Sequence, residues 1–184
     1  SQFECPDLMK LPVDDGRNGE KWLLILNVSP GGLFGGSATQ YFIGEFDGRT
    51  FHCDTPPHVS KWLDYGKDHY AAVTFANTGD RAISQAWMSN WRYGALVPTR
   101  QFRGAMALPR ELKLFSTDEG IFASAAPVPE ISAIWKEYQS IGPFSLGAGD
   151  ARTIDVSSAK AFRLSFNLSS QDDSETVLQL ANAS

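Results

Sequence analysis

Residues 21–29 (KWLLILNVS) form a mostly apolar run that stops at Pro30-Gly31-Gly32. A run this short, closed by turn formers, predicts a buried strand. Residues 40–46 (QYFIGEF) and 49–53 (RTFHC) flank Asp47-Gly48, and Asp-Gly between two β-rich runs predicts a hairpin, so these three strands should follow one another as a meander. After Pro56-Pro57 the pattern repeats: 71–76 (AAVTFA) and 83–89 (ISQAWMS) are separated by Asn77-Thr78-Gly79-Asp80, and 104–114 precedes 120–126. Strands recur about every 10 residues, the interval seen in propellers, sandwiches and barrels. Residues 131–138 (ISAIWKEY) have room for two helical turns and read as a connector. Residues 152–156, 161–168 and 176–181 then predict three further strands of a second β module. Three strands leave edges unpaired, so either the chain is a fragment or another polypeptide completes the module.

The expected organisation is therefore all-β: a first module over 1–126, a linker over 127–150 and an incomplete second module over 151–184. Composition agrees. The chain has 184 residues with 12 Phe, 5 Trp and 5 Tyr beside 16 Gly and 10 Pro, the mixture of turn-rich sheet rather than of helix bundles. Sixteen Lys and Arg against 21 Asp and Glu give a formal charge of −5, which leaves no electrostatic footprint for nucleic acid or an anionic membrane and suits a neutral substrate. No apolar run reaches the roughly 18 residues of a spanning helix. Two cysteines and three histidines, without partners at ligand spacing, predict neither a disulfide framework nor a metal, and nothing points to a cofactor. Cys5 and Cys53 can pair only if their Cα atoms come within about 7 Å; they are read as free thiols.

Candidate chemistry begins at Phe3-Glu4-Cys5-Pro6-Asp7-Leu8, where a carboxylate sits between an aromatic ring and a Cys-Pro. Taken alone, Glu4 reads as a surface acid. Further strings change the picture: 36–48 (GSATQYFIGEFDG), 64–72 (DYGKDHYAA), 86–93 (AWMSNWRY), Pro98-Thr99, 103–106 (RGAM) and 108–112 (LPREL). Collinear with Glu4-Cys5-Pro6-Asp7, they resemble the family 32 glycoside hydrolases, the invertases, exo-inulinases and levanases. That resemblance implies a five-bladed β-propeller with a funnel-shaped site, followed by a β-sandwich. This chain would hold about the last two blades and the first strands of the sandwich. It further implies retaining hydrolysis of terminal β-fructofuranosyl units of sucrose or fructans such as inulin and levan.

By the same resemblance Glu4 is the general acid/base, protonating the leaving oxygen and then deprotonating the attacking water. Such chemistry requires a carboxylic acid that stays protonated until needed and a second carboxylate about 5–5.5 Å away as nucleophile. Cys5 and Pro6 would fix the strand that aims Glu4, and Cys5 joins the expected pocket. The family's Asn-Trp motif implies that the ring of Trp91 packs on the sugar, the alternative being a core tryptophan. Asp68 either hydrogen-bonds within the pocket and tunes Glu4, or satisfies backbone N–H groups in the loop before a strand. Trp87 shares a strand face with Ser89 and Trp91 and is read as packing between blades. Asp47 reads as a turn residue, His69 as an aromatic spacer, and Arg103 and Arg110 as structural anchors.

Two family motifs do not occur: the Asn-Asp-Pro-Asn carrying the nucleophile and the Arg-Asp-Pro carrying a transition-state-stabilising aspartate. Five four-stranded blades need about 160–240 residues, so this chain is expected to be inactive alone and to have the missing N-terminal blades as its first partner. A homo-oligomer is the second possibility. Two other outcomes stay open, a fructosyltransferase of the same fold and a non-catalytic fructan-binding relative. The triplets 27–29, 167–169 and 182–184 are N-glycosylation acceptors if the protein is secreted, and an extracellular or cell-wall location follows from the resemblance.

Overall fold

The computed structural model describes residues 1–158, 161–170 and 175–180. It divides into a compact unit over Ser1–Lys136 and a smaller one over Glu137–Ser184. Two antiparallel five-stranded sheets make up the first unit. In one, β1 (Gln2–Pro12), β2 (Glu20–Ser29), β3 (Ala38–Phe46) and β4 (Phe51–Cys53) pair in sequence order, and the two-residue β5 (Lys61–Trp62) also pairs with β3. In the other, β6 (Tyr70–Thr74), β7 (Ala82–Met88), β9 (Arg110–Thr117) and β10 (Gly120–Pro127) lie in that order, with the short β8 (Ala105–Met106) also on β7.

Period 2 explains how the sheets meet. Leu23, Ile25 and Asn27 of β2 are fully buried on one face, opposite Ile43, Tyr41 and Thr39 of β3, while the alternate residues Trp22, Leu24 and Leu26 are only half-buried. Leu11, Val13, Leu63, Leu112 and Leu114 complete this core, so the first sheet is packed by side chains of β9 from the second. Polar clips mark the same seam. Thr74 donates from its backbone N (2.7 Å) and its hydroxyl (2.6 Å) to Asp7 Oδ2, tying β6 to β1.

Most expected strands are present, with four local differences. Asp47-Gly48 does not make a two-residue turn: Phe46 pairs with Phe51, and the carboxylate of Asp47 accepts from the backbone N of Thr50 (2.7 Å) and Arg49 (2.8 Å), closing a longer Asx turn. Those bonds hold the Asp47 carboxyl below the usual carboxylate range, so it is a turn residue as expected. The expected strand over 104–114 is split into β8 and β9, since Pro109 between them cannot donate to a ladder. The expected helical turns over 131–138 are a 3-10 helix at Pro129–Ile134. β1 was not foreseen as a full strand.

In the second unit, no strand forms among the described residues, contrary to the expectation for 152–156, 161–168 and 176–181, whose last residue lies outside the described ones. The alternating apolar residues Phe162, Leu164, Phe166 and Leu168 are all exposed. A strand gains stability from a ladder partner and a face to bury, and among the described residues these segments show neither. Local contacts order the unit instead: the guanidinium of Arg152 lies 4.1 Å from the ring centroid of Phe144, and the hydroxyls of Tyr138 and Ser158 are 2.6 Å apart.

Candidate active site

Two β-bulges build the centre of the site. Along β1 and β2, Glu4 faces Asn27 and Asp7 faces Ile25, so Cys5 and Pro6 stand opposite the single Leu26. Pro6 lacks an N–H and sacrifices no ladder bond there, while Cys5 takes φ 46°, re-aiming the strand. On β6 the register breaks between Tyr70, opposite Trp87, and Val73, opposite Gln85, with Ala71 at φ 54°. Together the bulges point two side chains at each other: the hydroxyl of Tyr70 donates to Glu4 Oε2. Burial, reinforced by the Glu4 hydrogen bond, raises the Tyr70 phenol well above its ordinary value, so it remains a proton-bearing donor throughout the working pH range.

Beside this pair lies an aromatic wall. Trp87 packs edge-on against Tyr70 (centroids 6.5 Å apart, 64°) and tilted against Trp91 (5.0 Å, 53°). Glycine backbones press on Trp87 from outside: a Cβ at Gly104, whose φ is +79°, would stand 2.2 Å from the indole Nε1. Trp87 thus packs against Tyr70 of its own sheet and against the loop residues Trp91 and Gly104. Trp91 is 61% exposed and is no core tryptophan. Its backbone N donates to Ser37 Oγ (3.1 Å), and its buried neighbour Asn90 donates to the carbonyls of Ser37 (3.1 Å) and Lys67 (2.9 Å). The ring is displayed from a turn pinned to both sheets' loops.

Asp68 lies in the loop before β6, where it accepts a 2.5 Å hydrogen bond from the hydroxyl of Tyr93; burial and this bond push that phenol up to about 12. The geometry gives Asp68 the partner Tyr93 and Glu4 the partner Tyr70. Cys5 and Cys53, on β1 and β4, are exposed free thiols. Among the described residues no group of three or more His, Cys, Asp or Glu is placed to hold a metal. His69 is buried, with Nδ1 3.3 Å from Thr39 Oγ1; burial and the nearby Arg110 lower it to about 4, so it is neutral. Arg110 pairs with Asp64 at 2.7 Å, and Arg103 donates to the carbonyls of Val97 and Thr99 at 2.7 Å each, so both arginines anchor structure.

Sequence reading passed over Tyr70, Asp7, Asn27 and Asn90. A signal existed for Asn27, a polar residue at the buried parity of Leu23 and Ile25, because a buried amide must find partners. Its burial also removes the 27–29 triplet as a glycosylation acceptor of the folded protein. Asn167 is exposed, and Asn182 lies outside the described residues.

A bulge-held carboxylate with a phenolic donor, beside an exposed indole, combines a group able to exchange a proton with a flat apolar face open to a ligand. The chain belongs to glycoside hydrolase family 32: residues 1–124 match the family described as "Glycosyl hydrolases family 32 N-terminal domain". Within it, the chain is 42% identical over 168 residues to a levanase of Bacillus subtilis (strain 168), covering 84% of this chain and 25% of the levanase. An invertase of Wickerhamomyces anomalus is 45% identical over 122 residues, 64% of this chain and 22% of the invertase. The extracellular exo-inulinase of Aspergillus awamori is 34% identical over 195 residues, 98% of this chain and 35% of that protein. A crystal structure of exo-inulinase from that organism aligns with a TM-score of 0.63 at 41% identity, covering 68% of this chain and 26% of that one. The two sheets are therefore propeller blades of this family, and the chain spans about a quarter to a third of the length of these relatives.

Proposed function

We propose that this chain supplies the acid/base half of a retaining β-fructofuranosidase that releases terminal fructosyl units from sucrose or fructans. The observation that carries the proposal is the Glu4–Tyr70 pair, built by two facing bulges, one at Cys5-Pro6 within the family's Glu-Cys-Pro motif and one at Ala71-Ala72 on β6. In the first half-reaction Glu4 gives its proton to the leaving glycosidic oxygen while a carboxylate on another part of the protein attacks the anomeric carbon. In the second, Glu4 takes a proton from the water that hydrolyses the fructosyl-enzyme. Tyr70 orients the carboxyl through Oε2 and leaves Oε1 for the substrate. Trp91 offers a flat apolar face to the sugar C–H groups, and Asp68 with Tyr93 and the bulge at Cys5 shape the rim of the pocket.

On this reading, residues 1–126 are the last blades of the propeller and 127–150 a linker. Residues 151–184 are the first strands of a sandwich that pair only when their remaining partners are present. The relative named as an extracellular exo-inulinase supports a secreted protein. The test is the configuration of the first product. Protein made from the complete reading frame, mixed with sucrose and followed by NMR before mutarotation, should release β-fructofuranose. Initial α-fructofuranose would exclude double displacement, and growing oligosaccharides at high sucrose would shift the assignment from hydrolysis to transfer.

A further inference from the structure

We infer that Asn27 is a positioning residue for the acid/base pair: a single buried amide fixes the two bulges that bring Glu4 and Tyr70 together. The inference rests on the reading of Glu4 as the acid. Asn27 has no solvent exposure and its four hydrogen-bonding capacities are all used. Nδ2 donates to the carbonyl of Cys5 (3.3 Å), the residue after Glu4, and to the carbonyl of Ala72 (3.0 Å) in the β6 bulge. Oδ1 accepts from the backbone N of Ala72 (2.9 Å) and from the hydroxyl of Thr39 (2.7 Å).

These bonds close a gap that sheet pairing leaves open. A bulge interrupts the ladder, so the peptides around Cys5 and Ala72 lack their regular strand partners, and β1 and β6 belong to different sheets. Asn27 grips both peptides from one point. The separation of Glu4 from Tyr70 is thereby set by one side chain rather than by the sum of two flexible bulges. Thr39 locks the amide in turn: its hydroxyl donates to Asn27 Oδ1, and Nδ1 of the neutral His69 ring lies 3.3 Å from that hydroxyl's own oxygen, Thr39 Oγ1. On an otherwise apolar face with Leu23 and Ile25, an aliphatic residue would pack equally well but could hold neither bulge.

The test compares kcat/KM for two substrates in protein made from the complete reading frame, because kcat/KM reports departure of the leaving group. Sucrose loses an alkoxide that needs a proton, whereas 4-nitrophenyl β-D-fructofuranoside loses a phenolate that does not. Asn27→Asp keeps the shape and the acceptor but removes both donations. It should lower kcat/KM for sucrose by about tenfold or more, the scale of one hydrogen bond at a charged group, and lower the aryl substrate by under about threefold. Thr39→Val should show the same selectivity in weaker form and serves if Asn27→Asp does not fold; Thr39→Ser, which retains the hydroxyl, should restore it. Glu4→Gln is the reference. If Glu4→Gln discriminates between the substrates and the Asn27 and Thr39 variants lose both equally, or neither, the positioning role is overturned. If Glu4→Gln itself does not discriminate, it is the acid assignment that fails.

Discussion

On the proposed reading of Glu4 as the acid, Tyr70 is the residue on which its geometry turns. Its hydroxyl is the hydrogen-bond donor to Glu4, and its raised phenol keeps that donation intact through neutral pH. Tyr70→Phe should therefore lower kcat for sucrose by about 10- to 100-fold, the equivalent of one hydrogen bond to a charged group, while KM changes little; steady-state kinetics on the two proteins decides it. Trp91→Ala should do the reverse. Loss of an exposed apolar face of this size removes roughly 1–2 kcal/mol of sugar contact and should raise KM about tenfold with kcat nearly intact. Glu4, Cys5, Asp68 and Trp91 stand out as candidates in the sequence because each sits in a motif string, and their roles in the site are part of the proposal. Tyr70 was not singled out, since its role depends on a strand 66 residues away meeting Glu4 across two bulges. Asn27 stood in plain view in a sequon, and only burial shows which of its two meanings holds.

At the level of elements, β6 and β7 carry two features with measurable consequences. His69, just before β6, is 3% exposed and lowered to about 4 by burial and by Arg110, against about 6.5 in the unfolded chain. The folded state binds fewer protons than the unfolded one between those values, so stability is complete above about pH 6.5 and falls as the pH drops towards 4. That loss is on the order of 3 kcal/mol. Thermal melting from pH 7 to 4 should show it, and His69→Phe should flatten that part of the slope. Gly104, beyond β7, has no room for a methyl group beside Trp87 and sits at a φ that disfavours one. Gly104→Ala should cost about 1–3 kcal/mol by overpacking and tilt the wall that carries Trp91, visible as a lower melting temperature and a raised KM.

Elements with their own turn chemistry, such as β2, β3 and β10, were legible from periodicity alone. β1 was hidden because Cys5-Pro6-Asp7 breaks its alternation, and a bulge is the physical form of that break. The segments 152–156 and 161–168 show the converse. Their alternation is strand-like, yet alternation states only which side chains could share a face, and pairing needs a partner.

For the whole molecule, a net charge of −5, two blades meeting at an apolar seam and one bulge-held carboxylate fit the proposed action on neutral sugars. Neither the Asn-Asp-Pro-Asn nor the Arg-Asp-Pro motif is in the 184 residues. Expressed alone, the chain should release no fructose from sucrose in a coupled glucose–fructose assay, and activity from it alone would mean that a carboxylate within these residues serves as nucleophile. The measurement that bears most directly on the account is kcat for sucrose of Glu4→Gln beside the wild type, both made from the complete reading frame and checked for equal melting temperature. Loss of about 10²–10⁴-fold, the usual contribution of a general acid/base, is the predicted result; wild-type turnover by Glu4→Gln would contradict it.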